Sequence, residues 1–181
     1  RNVLFVMSSL RNGGAERSLV NLLQLLDYDR YNVDLLLFQN EGMFLKQVPK
    51  EVNIISNCNK LYTLYDNNKT EALKHPYLSV VHMIGTFISR KKTNSVAKSR
   101  QYRWEHFYKK IVPELTKEYD VAIAYMQREQ TYFLVDKVKA TKKIAWVHNE
   151  YSQLGHFKEM DLEYFEKVDK VVTISDLCVK D

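Results

Sequence analysis

Six short strand-forming runs separated by stretches of helical periodicity constrain this chain more than any other feature. Asn2-Val-Leu-Phe-Val-Met7 is a continuous apolar run of the kind found in strands buried on both faces. Tyr31–Phe38, Glu51–Ile55, Asp120–Tyr125, Lys143–His148 and Lys170–Ile174 follow. Between the first two, Ala15, Leu19, Leu22, Leu23 and Leu26 recur at three- and four-residue spacing and predict a helix from Gly14 to about Asp27. A single helical turn is expected over Phe44–Val48. The middle reads as helical: Pro76 opens one helix reaching Ile88, and Ser95–Lys117 forms another, which Pro113 should bend or break. Trp104, Phe107, Tyr108, Ile111 and Leu115 give that second helix an apolar stripe. Further helices are predicted over Glu129–Val138 and Met160–Lys167. Ser175-Asp176 resembles the N-cap of a helix cut off at Asp181. This alternation specifies an α/β fold: a Rossmann-like, mostly parallel sheet with helices on both faces, built as one domain over residues 1–181.

A chain of 181 residues buries about 70% of its unfolded surface and needs no covalent staples. Cys58 and Cys178 are too few for a disulfide scaffold, which points to free thiols in a reducing compartment. Five glycines and three prolines exclude collagen-like and low-complexity chains. Asn68-Lys69-Thr70 matches a glycosylation sequon by letter and reads as chance. No apolar run reaches membrane-spanning length, the longest being Tyr77–Ile88, and no signal peptide is recognisable. Arg1 is not an initiator methionine, so the chain is expected to be trimmed or internal to a gene product.

The net charge of +5 is uneven. Residues 89–110 carry a net +7 through Arg90, Lys91, Lys92, Lys98, Arg100, Arg103, Lys109 and Lys110 against Glu105, and the remainder sums to −2. The segment reads either as a solvated helical face or as a patch for phosphate-rich partners. Nucleic acid is disfavoured as that partner, because no recognition motif accompanies the charge.

In parallel sheets ligands sit beyond the carboxyl ends of the strands. Three loops there carry chemistry. Ser8–Arg17 places Asn12, Gly13, Gly14, Ala15, Glu16 and Arg17 at the start of the first helix, where glycines permit a tight turn and free N–H groups suit a phosphate. Tyr125–Glu129 supplies Gln127 and Arg128 for polar or anionic ligands, or simply a helix cap. Trp146–Glu150 supplies His148 and Asn149; His148 suits a sugar hydroxyl or phosphate, against the simpler reading of a structural histidine. No zinc, P-loop or nucleophile-elbow spacing occurs, so no metal is expected.

Gly13-Gly14-Ala15-Glu16-Arg17 after a first strand, together with Lys143–His148 and Val171-Val-Thr-Ile-Ser175, resembles the N-terminal domain of the family 4 glycosyltransferases, retaining enzymes of the GT-B fold. The resemblance spans the whole chain, is strongest at 2–38 and 119–178, and at 57–118 is one of helicity and basicity alone. It implies the acceptor-binding half of a two-domain enzyme that moves a sugar from a UDP- or GDP-sugar to a hydroxyl, without a metal cofactor, in cell-surface polysaccharide or glycolipid synthesis. The paired glutamates of the family's donor-binding domain are missing here, so that domain is expected to lie outside this chain, which alone would be inactive. Gly13, Gly14 and Ala15 would face the donor diphosphate, and His148 the reacting sugar and acceptor. Asn12, Glu16, Arg17, Gln127, Arg128 and Asn149 would surround the acceptor. A cytoplasmic location follows, peripheral on an anionic membrane face through Arg90, Lys91, Lys92, Lys98, Arg100, Arg103 and the apolar 77–88 stretch. The competing reading is a free-standing Rossmann-like module that binds an anion or nucleotide without catalysis.

Overall fold

The computed structural model describes residues 1–55, 59–65, 73–176 and 178–179. Cys58 and Asn68-Lys69-Thr70 lie outside them. Six strands form one parallel sheet in the order β3-β2-β1-β4-β5-β6: β1 (Asn2–Met7), β2 (Asn32–Leu37), β3 (Asn53–Ile55), β4 (Glu118–Ala124), β5 (Lys139–Val147) and β6 (Lys170–Thr173). This is a Rossmann-like order, with its reversal between β1 and β4. The helices are α1 (Gly14–Gln24), α2 (Asn59–Tyr65), α3 (Pro76–Lys92), α4 (Val96–Arg103), α5 (Glu129–Lys137) and α6 (Lys158–Phe165).

Side-chain alternation along β1 builds two cores. Leu4 and Val6 face one side, with Leu36, Phe38, Trp104, Tyr108, Tyr132 and Phe133. Val3, Phe5 and Met7 face the other, where Leu19, Val20 and Leu23 of α1 cover them. Helices therefore lie on both faces, but unevenly. Residues of α2, α3, α5, α6 and the Trp104–Tyr108 turn pack on the first face, and α1 packs over β1 and β2 on the second. Trp146 of β5 remains only half-buried on that second face.

Three elements differ from expectation. The helix predicted over Ser95–Lys117 continues α4 through a π-helical turn at Trp104–Tyr108 and stops after Ile111. Of the two expected effects of Pro113, the break is the one observed, because Val112 before it must be extended. The π turn accommodates Trp104 and Tyr108 together in the core, with Trp104 Nε1 donating to Asp136 Oδ2 at 3.0 Å. β5 starts four residues before the predicted Lys143, and the third strand shrinks to three residues. Ser175 opens a turn, with Cys178 N–H donating to its carbonyl at 3.1 Å; Asp176, Cys178 and Val179 lie in turn rather than helix, and the rest of the helix expected there lies outside the described residues.

Two buried polar networks fix the layers. Asp34 on β2 accepts from Lys117 Nζ (2.8 Å), Tyr119 Oη (2.7 Å) and Asn53 Nδ2 (2.9 Å). Asp161 on α6 accepts from Tyr132 Oη, Gln101 Nε2 (3.2 Å) and Tyr151 Oη (2.7 Å), and pairs with His156 Nδ1 (2.9 Å). Buried carboxylates require such partners.

Candidate functional site

The loop leaving β1 is held by the loop leaving β2. Gln39 N–H donates to Ser8 O (2.7 Å), Leu10 N–H to Glu41 O (2.9 Å) and Phe44 N–H to Leu10 O (3.1 Å), while Arg11 pairs with Glu41. This contact needs Gly42: its φ is +129°, and a Cβ there would lie 1.9 Å from the Leu10 carbonyl. Gly42 is the backbone determinant that sequence reasoning missed.

Gly13 and Gly14 serve differently from what the sequence suggested. Neither has a positive φ, so no tight turn demands them. Gly13 is extended at the N-cap, and Gly14 starts α1 with nothing within 4 Å of the position a Cβ would take. Glycine is the weakest ordinary helix former, yet here no neighbour forbids a side chain. Gly14 leaves bare backbone facing open space, at a helix start without a side-chain cap. Such a terminus attracts anions. The Glu16 carboxylate folds back over Gly13, to within 2.1 Å of where its Cβ would be.

Opposite stands the end of β5. His148 stacks on Trp146 (5.3 Å between centroids, 17°) and lies 5.1 Å from the Tyr125 ring. Its backbone N–H donates to Gln127 Oε1 at 3.2 Å. Burial pushes the imidazole pKa below its ordinary value, against the opposing pull of Glu16 and of a hydrogen bond to the Tyr125 backbone. The shift favours the neutral imidazole. Its Nε2 is buried without a partner, as are Gln127 Nε2 and Thr173 Oγ1. Buried polar atoms left so are uncommon in folded proteins.

A cleft of about 690 Å³ joins the two sides, lined by Gly13, Gly14, Ala15, Glu16, His148 and Asn149 among the expected residues. Ser18, Met126, Trp146, Thr173 and Ile174 complete it. Ser18 shares a 3.0 Å hydrogen bond with Tyr125 Oη across the reversal point. Thr173 could have been suspected from the strand-end rule that selected His148; nothing in the sequence marks Ser18. Gln127 stands behind the cleft, and Asn12 and Arg17 are exposed outside its lining.

Arg128 is diverted elsewhere. It has φ +76°, the one positive value at a non-glycine among the described residues. Its Nε lies 3.9 Å from Glu129 Oε2. Glu129 is buried and pairs with Arg100. Burial would raise the Glu129 pKa, but the charges of Arg100 and Arg128 hold it below the usual carboxylate range. Arg103 Nη1 donates to Thr86 Oγ1 of α3 at 2.7 Å. Arg100 and Arg103 thus bind other parts of the fold, whereas Arg90, Lys91 and Lys92 are exposed. Among the described residues no three His, Cys, Asp or Glu side chains converge as metal ligands, and no helix is long and apolar enough to cross a membrane. Comparisons with protein-family models, curated proteins and solved structures gave no significant match.

Proposed function

We propose that this chain is the acceptor-binding half of a retaining, nucleotide-sugar-dependent glycosyltransferase. The observation that supports it best is the pairing, across one cleft at the carboxyl edge of the sheet, of an uncapped glycine-glycine helix start with a strand-end histidine whose buried Nε2 has no partner. The Gly14–Glu16 amides would hold the donor diphosphate as it leaves, with Glu16 swinging aside. His148 Nε2 would accept a hydrogen bond from a sugar or acceptor hydroxyl and orient it. As the resemblance to the retaining family implies, the leaving diphosphate would take the proton of the incoming hydroxyl, with no covalent intermediate on the protein. The acceptor would be a sugar or a lipid-linked glycan, and the enzyme would work at the cytoplasmic face of a membrane.

Titration of the ¹⁵N-labelled chain with pyrophosphate, UDP-glucose and GDP-mannose tests the site. Shifts confined to the Gly13–Glu16 amides and the His148 ring are expected; shifts elsewhere, or none, reject it. The product of the whole gene is then assayed for hydrolysis of the same sugar nucleotides. Turnover abolished by His148→Ala supports glycosyl transfer. Binding without turnover favours the non-catalytic anion-binding module.

A further inference from the structure

Helix α3 turns an apolar face to solvent. Leu78 is buried, Val81 packs on the core, and Gly85 lets the Phe107 ring approach to 3.4 Å of its Cβ position. On the other side Tyr77, Val80, Met83, Ile84 and Phe87 are 66, 46, 64, 46 and 60% exposed. Their spacing makes one stripe along three helical turns. Single exposed apolar residues are ordinary, whereas a contiguous row of large ones marks a contact surface.

The stripe runs into charge of one sign. Arg90, Lys91 and Lys92 close the helix, and Lys91 Nζ lies 4.4 Å over the Phe87 ring. From Leu73 to Trp104 the sequence has no Asp or Glu. A groove of about 520 Å³ is lined by His82, Met83, Thr86, Phe87, Arg90 and Lys91, so stripe and basic end share one surface.

We propose that α3 is an interfacial helix that lies flat on an anionic phospholipid surface. Its stripe enters the headgroup boundary, while Arg90, Lys91 and Lys92 meet lipid phosphates and Lys91 extends along Phe87 to reach them. Charge decides between occupants. A second copy would bring an identical acid-free helix against this one, leaving its cations unpaired. A lipid surface supplies apolar depth and negative charge together. Arg100 and Arg103, engaged with Glu129 and Thr86, are not part of this surface. The inference rests on α3 alone and holds whether or not the chain serves glycosyl transfer.

The test is co-sedimentation of the full chain with large vesicles of phosphatidylcholine alone, or containing about 30% phosphatidylglycerol, at low and high salt. Binding is expected to the anionic vesicles only and to weaken with salt. Arg90→Gln/Lys91→Gln/Lys92→Gln should reduce partitioning on the order of 100-fold, as the product of a roughly five-fold loss per charge. Met83→Ser/Phe87→Ser should also abolish binding, with far-UV circular dichroism unchanged because both positions are exposed. Arg30→Gln/Lys46→Gln/Lys50→Gln, exposed elsewhere, removes the same charge and should matter little. Absent binding to anionic vesicles, equal loss in the control triple, or an unaffected Met83/Phe87 variant overturns the proposal. So does a dimer in solution that Phe87→Ser dissociates, which would assign the stripe to a second copy.

Discussion

Glu16 occupies, with its own negative charge, the helix start where an anion is expected to bind, and its field reaches His148. Glu16→Gln should therefore lower the His148 pKa further, readable from the imidazole C–H shifts in an NMR titration; an unchanged midpoint would show that the two do not couple. The same substitution should tighten pyrophosphate binding several-fold, because a like charge leaves the site. Asp34 is the structural counterpart. Burial raises its pKa, yet hydrogen bonds from Lys117, Tyr119 and Asn53 and the Lys117 charge prevail and hold it below the ordinary value. Asp34→Asn is expected to cost about 1–3 kcal/mol in urea unfolding at neutral pH, the worth of charge-assisted hydrogen bonds. At this scale the sequence was only partly legible. His148 and the two glycines stand at positions that the strand-end rule selects. Arg128 stood there too, but its backbone turns to φ +76° and its side chain lies beside Glu129, a buried partner that no spacing announces.

Among the elements, α1 owes its placement to a contact far along the chain. Gly42→Ala would force a Cβ into the Leu10 carbonyl at an unfavourable φ, and should cost roughly 2 kcal/mol or more. It should also weaken pyrophosphate binding at Gly13–Glu16, although Gly42 lines no part of that cleft. Full affinity in this variant would separate the two loops. Asp161→Ala, which removes the acceptor shared by Tyr132, Gln101 and Tyr151 and the buried partner of His156, should destabilise by about 3–5 kcal/mol. The strands and α1 were readable because apolar runs and three-four spacing are local signals. The π turn at Trp104–Tyr108 was not. A regular helix of the same composition carries the same stripe, and tertiary packing of two bulky rings selects the wider turn.

For the whole molecule, the order β3-β2-β1-β4-β5-β6 puts the β1 and β4 loops at the reversal point, with the β5 loop beside them on one edge. The alternation of elements made that architecture legible; which face stayed thinly covered depended on contacts between distant segments. Stability should fall with acid in two windows. His82 and His148 are both shifted down, each chiefly by burial, so the unfolded chain binds more protons below about pH 6.5. Asp34, also shifted down, adds a second loss below about pH 4. Urea midpoints measured from pH 8 to 3 should trace both, and His82→Gln/His148→Gln should flatten the first alone. The uneven covering of the sheet also equips the chain with two intrinsic optical reporters. Trp104 is sealed in one core and should emit in the blue until the protein unfolds. Trp146, half-exposed and stacked on Tyr125 and His148 at the cleft wall, should emit further to the red and be quenched as the imidazole gains its proton. Fluorescence can thus follow occupancy and folding in separate channels, without a label.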